Sequence, residues 1–247
     1  MWFTKLIRVA ASAARLGGYA ILSHVWQDHE PSFQLVLSLQ QLELGEAHAQ
    51  MGPKIRGCIE GAKLLGYDWV WIDSSCINKT VSTELEEAIN SMFRWYAESS
   101  VCFAYLEDVS QDCRVEEPQS TFRTSKWFRR GWTLQELIAP QQLLFMSQEW
   151  KCLGTKASLA DLVEEITGID AEILTFRKVL SHISIARRMS WAWERVTSKT
   201  EDEAYSLMGL FDVSKNAFRR LQEEIMKKSP DHTLFAWGSI SRAYSFA

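Results

Sequence analysis

The side chain best suited to do chemistry in this sequence is Glu136, which lies in the stretch 127–140. The spacing of the apolar residues predicts that this stretch is one helix with a buried stripe. The stripe is formed by Trp127, Gly131, Leu134 and Ile138. Trp132 lies one turn before Glu136, so an indole and a carboxylate share the flank beside the stripe. Burying a carboxylate is costly unless a polar group meets it. Glu136 is therefore the candidate acid, with a salt-bridged structural glutamate as the alternative.

Other polar side chains gather where the predicted strands end. Ser23 and His24 end the first strand, and Asp73 ends the second. Ligands of open parallel sheets bind beyond the carboxyl ends of the strands. A nearby aromatic face could hold a ring, and a guanidinium could meet phosphate. The predicted site therefore has Glu136 as its acid and, as binding residues, Trp132, Trp26, Ser23, His24, Asp73 and Arg130.

Two other kinds of site compete with a single-carboxylate site. Cys76 and His24 could act as a nucleophile and its base. His24, Asp73 and Cys76 could instead bind a metal, although their spacing matches no tight ligand motif. The chain has neither a GxGxxG motif nor a P-loop. Ordinary dinucleotide oxidoreductases and NTPases are therefore disfavoured.

Alternating strands and helices must position these residues. Strands are predicted at 19–24, 69–73, 101–106 and 143–146, with helices near 52–65, 83–97 and 127–139. This alternation predicts an α/β fold in which a parallel sheet carries helices on both faces. Beyond residue 147 the pattern turns helical, near 155–166, 183–195, 201–210 and 215–228, with one more strand at 232–237. We therefore expect a mostly helical extension, 147–247, packed on the first part of the chain.

Composition excludes several classes of protein. The 247 residues carry a net charge of -4, which gives no reason to expect nucleic acid as a partner. The five cysteines form no CxxC pair, so we expect a reducing, cytoplasmic location rather than a disulfide scaffold. No apolar run is long enough to span a bilayer. Residues 1–18 are basic and amphipathic when read as a helix, which is typical of a presequence or membrane-surface helix. The simpler alternative is a poorly ordered leader or a helix packed on the domain.

Four segments resemble, in order, the signatures of the fungal heterokaryon incompatibility (HET) domain. They are 19–26, 70–77, 88–96 and 130–137. The resemblance spans about 19–146, and three later segments resemble the tail of long mushroom-type members: 154–159, 186–191 and 217–225. The resemblance implies a role in fungal self/non-self recognition, where fusion of unlike cells triggers programmed death. It also implies a distant relation to Toll/interleukin receptor (TIR) domains, and hence a flavodoxin-like sheet.

The resemblance further implies a reaction. In TIR domains that hydrolyse NAD, the catalytic glutamate lies in a Trp-x-x-x-Glu-Leu pattern, which here falls on Trp132 and Glu136. One carboxylate is chemically sufficient, because nicotinamide leaves NAD as a neutral group and needs no added proton. NAD would then be a substrate, and we expect no cofactor.

Two alternatives to catalysis remain open. The domain could signal without catalysis, by assembling with a second copy or with other HET or TIR-like domains. It could also retain the fold alone. Gln27 and Asn78 depart from the family pattern near the predicted site, and the connection at 213–217 is shorter than usual.

Overall fold

A computed structural model describes residues 6–8, 17–39, 42–198 and 200–211. Its centre is a six-stranded sheet with the order β1-β3-β2-β4-β5-β6. The strands are β1 (Ile7–Arg8), β2 (Ala20–His24), β3 (Trp69–Ile72), β4 (Val101–Tyr105), β5 (Leu143–Met146) and β6 (Cys152–Thr155). The four strands from β2 to β5 match the predicted strands, and β5 has the predicted bounds.

The four central strands are parallel, as predicted, but the sheet as a whole is mixed. β2 lies between β3 and β4, and β4 pairs with β5. Every residue of β2 and β4 is buried, which is typical of parallel strands covered on both faces. The strand order reverses at β2, so the crevice between the ends of β2 and β4 is the topological switch point.

The two edge strands, β1 and β6, run antiparallel and correct the prediction of a wholly parallel sheet. β6 follows β5 after only five residues, 147–151, and so short a connection can join only antiparallel strands. At the other edge, Ile7 pairs with Val70 and Arg8 with Trp69. Ile7 and Arg8 are therefore extended rather than helical.

Eleven α-helices and two 3-10 helices are present among the described residues. The α-helices are α1 (Phe33–Leu39), α2 (Leu44–Ala49), α3 (Gly52–Leu64), α4 (Asp73–Cys76), α5 (Ser82–Glu98), α6 (Thr121–Thr124), α7 (Thr133–Ile138), α8 (Ala160–Thr167), α9 (Ala171–Leu174), α10 (Ile185–Ser190) and α11 (Thr200–Phe211). The 3-10 helices are Lys126–Arg129 and Leu180–His182. None of these helices is long and apolar enough to cross a membrane.

Most of the predicted helices are present, with two corrections. α3 and α5 lie where proline at the first turn and apolar periodicity place them. The stretch between the first predicted strand and the predicted helix near 52–65, for which no element is predicted, contains α1 and α2. In the second half, α8, α10 and α11 fall within or near predicted helices. The predicted helix 215–228 and strand 232–237 lie outside the described residues. The division into a domain at 19–146 and an extension at 147–247 stays a prediction.

The predicted helix 127–139 is wrong as a single element. A 3-10 helix ends at Arg129, Arg130 is extended, and α7 begins only at Thr133. The break has a physical cause far along the chain, because Arg130 forms a parallel bridge with Val196 and the Gly131 amide donates to the Val196 carbonyl at 2.9 Å. An extended backbone engaged in this bridge cannot continue the helix. All six residues of α7 are buried, since it packs against β2, α5 and α11.

Candidate functional site

Glu136 lies inside a buried hydrogen-bonded network at the end of β2. Its carboxyl group, on a residue 5% exposed, accepts a hydrogen bond from the Ser23 hydroxyl. The indole Nε1 of Trp127 donates to the same Ser23 oxygen at 2.8 Å. On the other side, the Tyr96 hydroxyl contacts Glu136 and donates to the carbonyl of Leu22 at 2.9 Å. Glu136 is therefore met by polar groups from β2 and α5, as its burial requires.

The environment of Glu136 favours its neutral form. Burial raises the pKa of Glu136 to about 8, and the negative charge of Asp73 adds to the increase. The Ser23 hydrogen bond, Arg130 and Tyr96 oppose the increase without cancelling it. A carboxyl with this pKa changes charge close to neutral pH.

A second cluster surrounds Asp73, immediately after β3. His24 Nε2 lies 2.9 Å from Asp73 Oδ1, and the indole Nε1 of Trp26 donates to Asp73 Oδ2 at 2.7 Å. Burial alone would raise the pKa of Asp73, but His24 and the hydrogen bonds from His24 and Trp26 lower it overall. Asp73 thus holds an imidazole and an indole in fixed orientations.

Trp26 presents an aromatic face flanked by positive charge. Its side chain is 40% exposed, and Lys79 Nζ lies 3.5 Å from the ring centroid. The guanidinium carbon of Arg130 lies 5.9 Å from the same centroid. An indole with two neighbouring cations is suited to a planar ring joined to phosphate.

The predicted residues thus form two neighbouring clusters. Ser23 and His24 are adjacent in β2, and successive strand residues point to opposite faces of a sheet. Ser23 accordingly joins the Glu136 network, whereas His24 joins Asp73. Trp132 is partly buried immediately before α7, and it is Trp127 rather than Trp132 that hydrogen-bonds into the Glu136 network.

The structure argues against the competing cysteine site. The Cys76 thiol is buried, accepts a hydrogen bond from the amide of Ile72, and has its pKa raised to about 12 by burial. A thiol that remains protonated is a poor nucleophile and a poor metal ligand. Within the described ranges, no group of three or more His, Cys, Asp or Glu side chains is arranged to hold a metal ion.

Four residues near the site were not predicted to belong to it. Trp127 belongs to the predicted apolar stripe and Tyr96 falls within the predicted helix 83–97, so the pattern indicates only packing for both. Lys79 lies beyond the end of β3, and the strand-end pattern that identified Asp73 could have found it. Arg195 donates to the Arg130 carbonyl at 2.9 Å. It lies 65 residues from Arg130, so no local pattern could have identified it.

Together these features define an α/β domain with a buried acid beside the switch point of its sheet. Residues 19–120 match the family model described as "Heterokaryon incompatibility protein (HET)", so the chain carries a HET domain. Residues 216–246 match a domain of unknown function, DUF8212. The chain is also similar to the vegetative incompatibility protein HET-E-1 of Podospora anserina, with 42% identity over 229 residues. That alignment covers 87% of this chain and 16% of the relative. No solved structure gives a significant match.

Proposed function

We propose that this chain acts in incompatibility-type signalling, in which recognition of non-self leads to programmed cell death. The HET domain and the 42% identity to a vegetative incompatibility protein support this role. We also propose a distant relation to TIR domains, with a flavodoxin-like sheet carrying helices on both faces. The order of the four parallel strands supports this relation, because flavodoxin-like sheets begin with the same order. The five free cysteines support a reducing, cytoplasmic setting.

We further propose that the domain hydrolyses NAD at the bond between nicotinamide and ribose. The observation that carries this proposal is the buried Glu136 carboxyl, hydrogen-bonded to Ser23 at the end of β2 beside the switch point. The bond breaks with both electrons passing to the cationic nicotinamide ring, so no proton has to be added to the leaving group. The positive charge of bound NAD favours ionisation of Glu136. The carboxylate then stabilises the positive charge left on the ribose, and water adds and releases a proton. Trp26, Lys79 and Arg130 would hold the remainder of the dinucleotide.

The test is release of free nicotinamide from NAD by the purified 247-residue chain. We expect wild-type protein to release it and Glu136→Gln to release it at least about 100-fold more slowly, the usual loss when a charge-stabilising group is removed. Glu117→Gln is the matched control, because Glu117 is an exposed glutamate that pairs with Arg114 on the surface. A folded Glu136→Gln variant that turns over NAD at the wild-type rate would end the proposal.

The second candidate is an interaction module without catalysis, which signals by assembling with another copy or with other HET or TIR-like domains. It is favoured by the same burial of Glu136, because a carboxyl 5% exposed and bonded to two hydroxyls can serve packing alone. Nicotinamide release should be assayed across a protein concentration series, with light scattering in parallel. Assembly at high concentration without nicotinamide release would favour this candidate.

A further inference from the structure

The bend before α7 is held by a segment from far along the chain. The Val196 amide donates to the Arg129 carbonyl at 2.7 Å, and the Gly131 amide donates back to the Val196 carbonyl at 2.9 Å. A Cβ atom on Gly131 would lie 2.3 Å from Cγ2 of Thr197, so only glycine allows this approach. Residues 195–197, which we name the clamp segment, therefore fix where α7 begins.

Arg195 extends the clamp segment into the first turn of α7. Its Nη1 donates to the Arg130 carbonyl at 2.9 Å and to the Thr133 hydroxyl at 3.0 Å. Its Nε donates to the Trp191 carbonyl at 3.2 Å. Thr133 is fully buried, and its hydroxyl also lies 2.5 Å from the Trp127 carbonyl. One guanidinium therefore connects the bend, the start of α7 and the residue that donates to Ser23.

The charge of Arg195 also acts on Glu136. Burial lowers the pKa of Arg195 and attraction to Glu136 raises it, so the two groups interact. By the same interaction, the guanidinium favours the ionised form of Glu136. The Nη2 atom of Arg195 is buried and has no hydrogen-bond partner among the described residues. The other groups that act on the Glu136 carboxyl from neighbouring elements are Asp73, Arg130, Ser23, Tyr96 and Cys102.

We propose that Arg195 is a positioning residue for Glu136: it fixes the first turn of α7, on which the acid lies, and its positive charge attracts that acid. The inference rests on the proposed role of Glu136 in NAD cleavage. It extends that proposal, because it makes the clamp segment, distant in sequence from α7, part of the candidate site.

The experiment compares Arg195→Gln and Arg195→Lys with wild type in the full 247-residue chain. The ionisation midpoint of Glu136 is measured by carbon-13 NMR of labelled glutamate, with Glu136→Gln identifying the signal. The rate of nicotinamide release is measured against pH on the same samples. We expect Arg195→Gln to raise both midpoints by about one pH unit, the size of shift that a nearby opposite charge produces. Arg195→Lys, which keeps the charge but not the planar fork, should give a smaller shift.

Arg187→Gln is the control, because Arg187 lies nearby in the sequence, is exposed, and pairs with Asp170. It should leave both midpoints unchanged. An Arg195→Gln variant with the wild-type Glu136 midpoint would overturn the inference. If Arg195→Gln does not fold, Arg195→Lys decides, and wild-type midpoints in that variant together with unchanged hydrogen exchange in α7 would overturn it. Failure of the proposed function looks different: wild type releases no nicotinamide, while Arg195→Gln still shifts the Glu136 midpoint.

Discussion

Glu136 and Lys156 are two buried ionisable side chains whose pKa values are shifted in opposite directions. Glu136 lies on α7, and Lys156 packs against the end of that helix. Glu136 is 5% exposed and Lys156 is 2% exposed. Burial raises the pKa of Glu136 to about 8 and lowers the pKa of Lys156 to about 7. Burial therefore moves both groups toward their neutral forms, the acid by protonation and the lysine by deprotonation.

The two side chains differ in their partners. Glu136 meets hydroxyl groups, which can donate or accept and therefore suit either protonation state. Lys156 Nζ donates to three backbone carbonyls at the end of α7, those of Leu137, Ile138 and Pro140. Carbonyls can only accept, and three of them match the three protons of an ammonium group. The acid thus lies in an adaptable network, whereas the lysine serves as a fixed cap. Burial alone therefore does not identify a functional charge, whereas the chemistry of its hydrogen-bond partners does.

The largest effect on stability should come from removing the cap. Lys156→Met keeps most of the length of the side chain but leaves three buried carbonyls without a donor, so we expect a loss of about 3–5 kcal/mol in the free energy of unfolding. Urea denaturation measures the loss. Lys151→Met, a change at an exposed lysine, should alter stability by less than about 0.5 kcal/mol. A Lys156→Met variant as stable as wild type would show that the carbonyls need no cap.

The pH dependence of unfolding should separate the two charges. A raised carboxyl pKa gives stability that is present below about pH 4.5 and lost as pH rises toward about 8. A lowered lysine pKa gives stability that is present above about pH 10.5 and lost as pH falls toward about 7. We therefore expect Glu136→Gln to flatten the fall between pH 4.5 and 8, and Lys156→Met to flatten the rise between pH 7 and 10.5.

Urea denaturation at steps of one pH unit checks both slopes, each variant serving as the control for the other. The interpretation of Glu136 fails if wild type and Glu136→Gln have parallel curves over the acidic window. Parallel curves for wild type and Lys156→Met over the alkaline window would instead show that the three carbonyls keep the lysine charged throughout.

Much of the fold could be predicted because its determinants are local. A parallel strand buried on both faces is a continuous apolar run, so β5 was predicted with its observed bounds, and β2, β3 and β4 within one or two residues. β1 and β6 lacked such a run, since β1 has only two residues and β6 none that is buried. Pairing with an existing edge, rather than local sequence, makes them strands.

The site was harder to predict because its contacts are long-range. Ser23 and Glu136 are 113 residues apart, and Ser23 and Trp127 are 104 apart. The periodicity of 127–139 was real, but it could not reveal that Val196 would pair with Arg130 and interrupt the helix. Sequence therefore identified the acid and the strand ends, whereas the indole that reaches Ser23 depended on the bend.

Removal of the Ser23 hydroxyl, which donates to Glu136, should cause an intermediate loss of stability. Ser23→Ala removes the hydrogen bond to Glu136 and leaves the buried Trp127 indole without an acceptor, so we expect a loss of about 1–3 kcal/mol. Because the Ser23 hydrogen bond lowers the pKa of Glu136, its removal should raise that pKa further. The fall in the free energy of unfolding with rising pH should then continue to a higher pH. Urea denaturation against pH measures both effects. Ser190→Ala, at an exposed serine, is the control. If Ser23→Ala loses stability over the same pH range as wild type, the Ser23 hydroxyl does not act on the Glu136 carboxyl.

The smallest effect on stability should come from a charge that is not buried. Lys79 is exposed and lies over the face of Trp26, a contact of about 0.5–1 kcal/mol at an exposed site. Lys79→Ala should therefore change the free energy of unfolding by no more than about 1 kcal/mol, well below the effect of Lys156→Met.

If NAD is the substrate, the same variant should raise KM by about tenfold and leave kcat unchanged, because a phosphate contact contributes equally to ground state and transition state. An unchanged KM in an active enzyme would remove Lys79 from the binding face. A loss of stability as large as that of Lys156→Met would show that an exposed charge can contribute as much to the free energy of unfolding as a buried one.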